Sequence, residues 1–440
     1  MSTICAISTP AGIGGIAVIR VSGKDALTIV DRLFRGTHTL SDAKGYSLHY
    51  GTIADLDEVI VSVFRAPRSF TGEDVVEISC HGSLYIQQQL LNLLVEAGCQ
   101  IAQPGEFTQR AFLNGKLDLT QAEAVADLIA AQSKAAHNIA FNHIKGGISE
   151  QLKLLRDKLL NLTSLLELEL DFADHEELEF ADRSELSLLA QDIDNHISRL
   201  VGSFKVGNAL KNGISVAIVG PTNAGKSTLL NALLGEDRAI VSDVHGTTRD
   251  TIEETLTING TLFRLIDTAG IRHTDNRIES IGIERSKQAA SKADIILYVT
   301  DATQTGNDDI LAEIDTTDKH IIRICNKADL LLLPPAPCDS HTIYISAKNG
   351  DIQPLKEALI SLAPHSDSNY ILISNARHYQ ALVNAQSAIR RVQDGLSQDL
   401  SGELLAIDLH DCLNSLGEIT GEISSQDVLN NIFQHFCIGK

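Results

Sequence analysis

The chain has 440 residues, of which 43% are apolar, 21% are charged and nine are proline. At about 150 residues per domain this length predicts roughly two to four domains, and the composition excludes a disordered or collagen-like chain. Lysine and arginine number 36 against 57 aspartates and glutamates, which gives a formal net charge of −21. General binding to nucleic acid phosphates is therefore excluded, and any RNA contact is expected to be local or shared with a partner.

The apolar runs of the chain are short. The run at residues 214–219, interrupted only by Ser215, is among the longest, whereas a helix needs roughly 20 apolar residues to cross a bilayer. Arg20 follows the apolar residues 16–19 instead of preceding them, which disfavours a signal peptide. The seven cysteines include no CxxC pair, which argues against a disulfide framework and a zinc knuckle. We expect a cytoplasmic protein without a membrane span.

The first 118 residues predict a mixed α/β domain. Strand-like runs lie at residues 16–21, 58–64 and 75–79, and a helical pattern covers residues 83–96. From residue 119 to about 209 the pattern changes to long amphipathic helices. Leucines recur there at spacings of three and four, at positions 152, 155, 159, 162 and 166, which predicts a helical bundle. The acid-rich stretch 167–185 is interpreted as a solvated helix end or loop without chemistry.

A second α/β unit follows. Its predicted strands lie at residues 214–219, 254–258, 262–266, 295–300, 321–325 and 342–345 and alternate with helices, which indicates a mostly parallel, doubly wound sheet. Helical patterns resume after about residue 365, at 375–392, 404–416 and 426–436. We therefore predict four segments, 1–118, 119–209, 210–365 and 366–440. The third is an α/β domain inserted into an all-α domain that the second and fourth build together.

A phosphate-binding loop lies between the first strand and the first helix of the inserted unit. Residues 220–227 read GPTNAGKS, which fits the pattern GxxxxGK[ST] in its proper context. Backbone amides of such a loop wrap phosphates, Lys226 reaches the β- and γ-phosphates, and the hydroxyl of Ser227 can ligate Mg²⁺. The nucleotide-binding residues predicted here are Asn223, Ala224, Gly225, Lys226, Ser227 and Thr228.

Two further segments have the pattern of nucleotide switches. Thr248 can complete the Mg²⁺ shell when a γ-phosphate is present, and residues 267–270 read DTAG after a strand, which places a carboxylate near the metal and the amide of Gly270 near the γ-phosphate. The nucleotide-binding residues predicted in these segments are Ser242, Asp243, Val244, His245, Gly246, Thr247, Thr248, Asp267, Thr268, Ala269 and Gly270.

Two later segments have the patterns of loops that bind the nucleotide base. Residues 326–329 read NKAD and resemble the guanine-reading motif of Ras-like GTPases, in which Asp329 would accept hydrogen bonds from the base, while residues 346–348 resemble the last base-binding loop. Adenine offers such a carboxylate no matching pair of donors, so GTP is expected over ATP. The base-binding residues predicted here are Asn326, Lys327, Asp329, Ser346, Ala347 and Lys348.

The second switch departs from Ras-like proteins. Ile271 stands where those proteins place a glutamine that orients the attacking water. An isoleucine side chain cannot form that hydrogen bond. A carboxylate elsewhere in the switch, a partner or a cation must act instead. Glu279 is the candidate carboxylate, and a surface glutamate without a role is the alternative.

Motifs at both ends of the chain carry a family resemblance. The chain ends in Cys-Ile-Gly-Lys at residues 437–440, and its N-terminal part contains GIGGIAVIRVSG at 12–23, FTGEDVVE at 70–77, PGEF at 104–107 and RAFLNGKLD at 110–118. With the GTPase motifs, these segments resemble the MnmE (TrmE) family of tRNA modification GTPases along the whole chain. The resemblance implies an N-terminal folate-binding and dimerisation domain, a helical domain and an inserted Ras-like G domain.

The family resemblance also implies a function. A homodimer would work with the flavoprotein MnmG to form an aminomethyl or carboxymethylaminomethyl group on carbon 5 of the tRNA wobble uridine. Arg20, Glu77, Lys116 and Lys440 would bind 5-formyltetrahydrofolate or a related tetrahydrofolate, which carries the one-carbon unit. Cys437 would be important for modification. Glu279 would orient the attacking water through a second water.

The same resemblance implies a potassium ion in GTP hydrolysis. The ion would be held by Asn223 and by oxygens of Ser242, Val244 and Thr247, and it would replace an arginine finger when two G domains meet. Two other functions stay open. One is a ribosome-assembly or translation switch GTPase, which the acidic charge and the C-terminal motif disfavour. The other is a scaffold that uses GTP only as a timer.

Overall fold

The computed structural model describes residues 2–171, 183–237, 254–266, 287–304, 316–317, 319–331, 342–364, 371–423, 426–434, 436–437 and 439. The chain forms two compact units. One contains Met1–Ile129, Asn142–His196 and Ala381–Lys440, and the other contains Ala130–Phe141 and Ile197–Gln380. The four segment boundaries predicted from the sequence stay predictions.

The first unit contains a seven-stranded sheet with the strand order β3-β4-β5-β6-β2-β1-β7. Its strands are β1 Ile4–Ile7, β2 Gly14–Ser22, β3 Phe34–Gly36, β4 Ser47–Ile53, β5 Asp57–Phe64, β6 Val75–Gly82 and β7 Gln100–Ile101. Along β5 the side chains of Val59, Val61 and Val63 are buried while their neighbours are not, because successive side chains of a strand point to opposite faces. The predicted strands at 16–21, 58–64 and 75–79 are confirmed.

Three helices belong to the same part of the chain, α1 Ala26–Leu33, α2 Leu84–Glu96 and α3 Glu106–Leu113. Leu27 and Val30 of α1 and Leu90 and Leu94 of α2 join the valines of the sheet in one hydrophobic core. The core lies on one face of the sheet. Arg20 of β2 and Glu77 of β6 alternate with core residues along their strands and project from the opposite face.

The helical part of the chain follows the leucine spacing. Its helices are α4 Leu119–Ala130, α5 Lys134–Ile144, α6 Gly147–Asp171 and α7 Arg183–Asn212, and later in the chain α10 Ala376–Ser397, α11 Gly402–Thr420 and α12 Gln426–Phe433. All five leucines of the predicted stripe on α6 are buried, and α6 packs against α11. Among the described helices, none is long and apolar enough to cross a membrane.

The second unit contains a six-stranded sheet with the order β13-β12-β11-β8-β10-β9. Its strands are β8 Ile214–Val219, β9 Glu254–Ile258, β10 Thr261–Ile266, β11 Ile295–Asp301, β12 His320–Asn326 and β13 Thr342–Tyr344. All neighbouring pairs are parallel except β9 and β10. The helices α8 Lys226–Asp237 and α9 Gln353–Leu362 accompany the sheet. The predicted, mostly parallel sheet is confirmed, and its carboxyl edge is where ligands of such sheets bind.

Candidate functional site

The phosphate loop follows β8, all six residues of which are buried. Gly220 has φ +147°, and a Cβ at this position would lie 2.1 Å from the carbonyl oxygen of Val299. Gly225 has φ +93°, and its Cβ would lie 2.2 Å from Nδ2 of Asn326. Only glycine fits such positions, because an added carbon would overlap the neighbouring strand or loop. The loop thus lies close against β11 and β12.

Lys226 begins α8 and lies over the loop. Its Nζ donates hydrogen bonds to the carbonyl oxygens of Gly220 and Pro221, both at 2.7 Å. Burial lowers the pKa of this ammonium group, because the charged form loses hydration. The lysine is therefore held where its charge can meet phosphate oxygens, which are stronger acceptors than the carbonyls that it contacts here.

Asn326 links the phosphate loop to the base-binding loop. Its Nδ2 donates to the carbonyl of Ala224 at 2.9 Å, and its Oδ1 accepts from the amide of Ala347 at 3.1 Å. The residue is buried, and both ends of its amide are satisfied. In the same loop the hydroxyl of Ser346 donates to Oδ1 of Asp329 at 2.6 Å. The structure therefore brings together the predicted residues 223–228, 326–329 and 346–348.

Asp301, the last residue of β11, is a site residue that the sequence motifs do not indicate. Its Oδ2 accepts from Nζ of Lys327 at 2.6 Å, and its Oδ1 accepts from the backbone amide and the hydroxyl of Thr303 at 2.9 and 2.7 Å. These bonds, above all the one from Lys327, lower the pKa of Asp301 to about 2. Its position at the carboxyl end of a parallel strand next to the NKAD motif was the signal that could have found it.

Several predicted residues lie outside the described part of the chain. They are Ser242, Asp243, Val244, His245, Gly246, Thr247, Thr248, Asp267, Thr268, Ala269, Gly270, Glu279 and Lys440. Of the residues predicted to hold metal ions, the structure places Ser227 at the start of α8 and Asn223, with φ +62°, in the phosphate loop.

A second cluster forms in the first unit around Arg20 and Glu77, which face each other across β2 and β6. The Nε and Nη2 atoms of Arg20 lie 2.9 and 2.7 Å from Oε1 of Glu77. The guanidinium carbon also lies 5.7 and 5.6 Å from the ring centres of Phe70 and Phe107, within the range of cation–π attraction. The charge of Arg20 is thus balanced by a carboxylate on a partly aromatic surface.

The C-terminal tail reaches this cluster. The carbonyl of Gly439 accepts from Nη1 of Arg20 and from the hydroxyl of Ser8, both at 3.3 Å. The carbonyl of Cys437 accepts from the amide of Gly105 at 3.4 Å, and the Cys437 side chain is exposed. The structure therefore brings the tail, through Gly439, to Arg20, which pairs with Glu77. Cys437 lies two residues before this contact in the chain.

Lys116, the other predicted folate residue in the described part, is exposed. Its Nζ donates to the carbonyl of Pro67 at 3.1 Å, and its side chain lies 3.2 Å from the position of a Cβ on Gly72. It therefore contacts the segment that carries Phe70. Its ammonium contacts a carbonyl, whereas the guanidinium of Arg20 contacts a carboxylate.

Comparisons with known proteins agree with this architecture. Residues 3–116 match the family described as GTP-binding protein TrmE N-terminus, and residues 119–437 match the family described as MnmE helical domain. A tRNA modification GTPase MnmE of Parabacteroides distasonis is 55% identical, with 100% of both chains covered. Its namesake in Bacteroides thetaiotaomicron is 52% identical over 100% of this chain and 99% of that protein.

Among solved structures, that of Era in complex with MgGDPNP and nucleotides 1506–1542 of 16S ribosomal RNA is 29% identical. It covers 40% of this chain and 66% of that chain with a TM-score of 0.27, and we draw no inference from so low a score. The family matches and the full-length relatives carry the conclusion. This chain belongs to the MnmE family of tRNA modification GTPases and is a GTP hydrolase that acts in tRNA modification.

Proposed function

We propose that this chain is a cytoplasmic, K⁺-dependent GTPase, activated by dimerisation, that forms the aminomethyl or carboxymethylaminomethyl group on carbon 5 of the tRNA wobble uridine. It would act as a homodimer with the flavoprotein MnmG and would use a one-carbon unit carried by a tetrahydrofolate. Binding of GTP and Mg²⁺ follows from family membership. The observation that carries the finer proposal is the contact of the Gly439 carbonyl with Arg20, 3.3 Å away, because it brings the Cys437 tail to the Arg20–Glu77 pair.

The described part of the nucleotide site, which contains the phosphate loop and the two base-binding segments, fits GTP. Gly220 and Gly225 let the loop lie close against Val299 and Asn326, where a Cβ would overlap protein atoms. Because α8 begins directly after the loop, amide groups at a helix N-terminus would face the phosphates. Lys226 would exchange its two carbonyl partners for phosphate oxygens. In this proposal the Ser227 hydroxyl holds Mg²⁺ together with Thr248.

Hydrolysis needs a positive charge near the phosphates and an oriented water. We assign the charge to a K⁺ ion held by Asn223, Ser242, Val244 and Thr247. A bound K⁺ supplies the electrostatic stabilisation that an arginine finger supplies elsewhere. Glu279 would orient the attacking water through a second water molecule.

The Arg20–Glu77 cluster fits a reduced folate. A carboxylate such as Glu77 suits the donor edge of a pterin ring, and Phe70, which is 37% exposed, offers an aromatic surface beside it. Since Glu77 already balances Arg20, the glutamate tail of the folate would rely on Lys116 and Lys440. Cys437 would act in the modification next to this carrier site.

Two other functions have less support. A ribosome-assembly or translation switch GTPase is disfavoured because the full-length relatives are tRNA modification GTPases. A scaffold that uses GTP only as a timer does not need a C-terminal tail with an exposed cysteine that contacts Arg20 beside Glu77.

The first experiment compares the GTPase rate of the purified protein in K⁺ and in Na⁺ and measures binding of 5-formyltetrahydrofolate to the same preparation by calorimetry. We expect hydrolysis severalfold faster in K⁺. Asn223→Ala should remove this difference, and Arg20→Gln should weaken folate binding while it leaves the K⁺ effect intact. Equal rates in K⁺ and Na⁺ would contradict the cation assignment, and absence of folate binding would contradict the carrier assignment.

A further inference from the structure

Gly105 lies where the N-terminal sheet domain meets the C-terminal tail. It is the N-cap residue of α3, with φ +68° and ψ 2°, and α3 has no side-chain cap at that position. Serine, asparagine and aspartate are better N-caps than glycine, and asparagine also tolerates a left-handed backbone. Helix formation alone therefore does not account for a glycine here.

Contacts with the C-terminal tail account for a glycine at position 105. A Cβ on Gly105 would lie 2.6 Å from the carbonyl oxygen of Phe433 and about as close to two side chains, 3.0 Å from Cβ of Phe436 and 3.1 Å from Cβ of Phe433. The first neighbour is backbone, which cannot rotate away as a side chain can. The amide of the same glycine donates to the carbonyl of Cys437. Gly105 therefore lies directly under the tail and binds it.

The tail packs on the start of α3, at Gly105, and we call this contact the seat of the tail. Side-chain bonds of Arg110 hold this part of α3 in place. Arg110 of α3 is buried, and its guanidinium bonds Glu106, the first residue of the helix, at 2.8 Å and Glu73 at 3.1 Å. It also donates to the carbonyl of Ser2 at 2.8 Å. These bonds tie the start of α3 to the sheet domain independently of the tail.

The tail has a second close contact at Gly439, which has φ +92° and is buried. A Cβ there would lie 2.5 Å from the carbonyl oxygen of Ile7. Cys437, two residues before Gly439, is exposed. Before them, Phe433 is 2% exposed and belongs to a cluster with Leu119 and Leu429.

We propose that Gly105 is a positioning residue that, together with Gly439, holds the C-terminal tail in place and thereby keeps the exposed Cys437 two residues from the Gly439 carbonyl that contacts Arg20. The functional part of this proposal, that Cys437 is used in tRNA modification, rests on the proposed function. The seat itself rests on the contacts of Gly105.

The test uses the full-length variants Gly105→Ala and Gly439→Ala. Chymotrypsin cleaves after phenylalanine, which occurs near the C-terminus at positions 433 and 436. Release of residues 434–440 or 437–440 in brief digests therefore reports whether the tail detaches from Gly105. Gly115→Ala is the matched control, because Gly115 has φ +66° but no atom within 4 Å of an added Cβ. The control therefore carries the same backbone strain without the tail contact.

We expect release of the peptide to be at least tenfold faster in both tail variants than in the wild type and in Gly115→Ala, with KM and kcat for GTP unchanged and tRNA modification lost. Release at the wild-type rate would overturn the seat. Fast release with normal modification would overturn the link to Cys437. If the wild type itself does not modify tRNA with its partner and folate, the proposed function fails, and the peptide release rates still decide on the seat.

Discussion

The carboxylate of Asp301 lies 2.6 Å from the ammonium of Lys327, within the motif that is predicted to read guanine. Lys327 has a left-handed backbone with φ +67°, which is uncommon outside glycine, asparagine and aspartate. Asp301 at the end of β11 thus holds the side chain of the residue that directly follows the neighbouring strand β12. The carboxylate is nearly buried, with 9% of its side chain exposed.

Asp301→Asn should weaken binding of both GTP and GDP by about tenfold, which corresponds to ~1.4 kcal/mol. The amide keeps the shape of the side chain but loses the charge that orients Lys327, and a partly buried ammonium is left without its counter-ion. Titration with a fluorescent guanine nucleotide measures the effect. Glu357→Gln removes an exposed carboxylate of α9 in the same unit and should leave affinity unchanged. Equal affinities for Asp301→Asn and the wild type would rule out this role.

The same carboxylate predicts a pH dependence of stability. Its pKa is lowered from 3.8 to about 2, first by the bond from Lys327 and then by that from Thr303. A lowered carboxylate pKa stabilises the folded state above the unfolded pKa, and this contribution disappears as the pH falls through the folded pKa. The difference in unfolding free energy between the wild type and Asp301→Asn should therefore be constant above about pH 5 and shrink between about pH 4 and pH 2. Denaturant titrations over this range test it, and a difference that does not change with pH contradicts it.

Asp329→Asn should change the preference for the base. The carboxylate of Asp329 is held by the hydroxyl of Ser346 at 2.6 Å, so its direction is fixed before nucleotide binds. An amide cannot accept from both guanine donors, but it can pair with the oxygen that xanthine carries in place of the amine. We expect GTP to bind roughly a hundredfold more weakly and xanthosine triphosphate to bind measurably. Each polar group left without a partner costs ~1–3 kcal/mol of binding free energy. Competition titrations with both nucleotides measure the ratio, and an unchanged preference for GTP contradicts the assignment.

The sequence predicts the regular elements well because their periods are local. The apolar pattern at residues 214–219 predicts a strand, and β8 has the same bounds. Contacts between distant residues are not readable from such patterns. No spacing indicates that Asp301 pairs with Lys327, or that a Cβ on Gly105 would meet the C-terminal tail. The contact between Ser8 and Gly439 joins residues 431 positions apart, and only the family resemblance indicated that the tail and Arg20 share a site.

The leucine stripe of α6 allows a matched test of the helical part of the chain. Leu159 is fully buried, whereas the adjacent Leu160 is 44% exposed. Leu159→Ala should cost about 2–5 kcal/mol of unfolding free energy, because it removes methyl groups from a packed core and leaves a cavity. Leu160→Ala makes the same chemical change on the outer face and should cost less than about 1 kcal/mol. Urea unfolding followed by far-ultraviolet circular dichroism measures both, and equal costs would mean that the stripe does not form the core between α6 and α11.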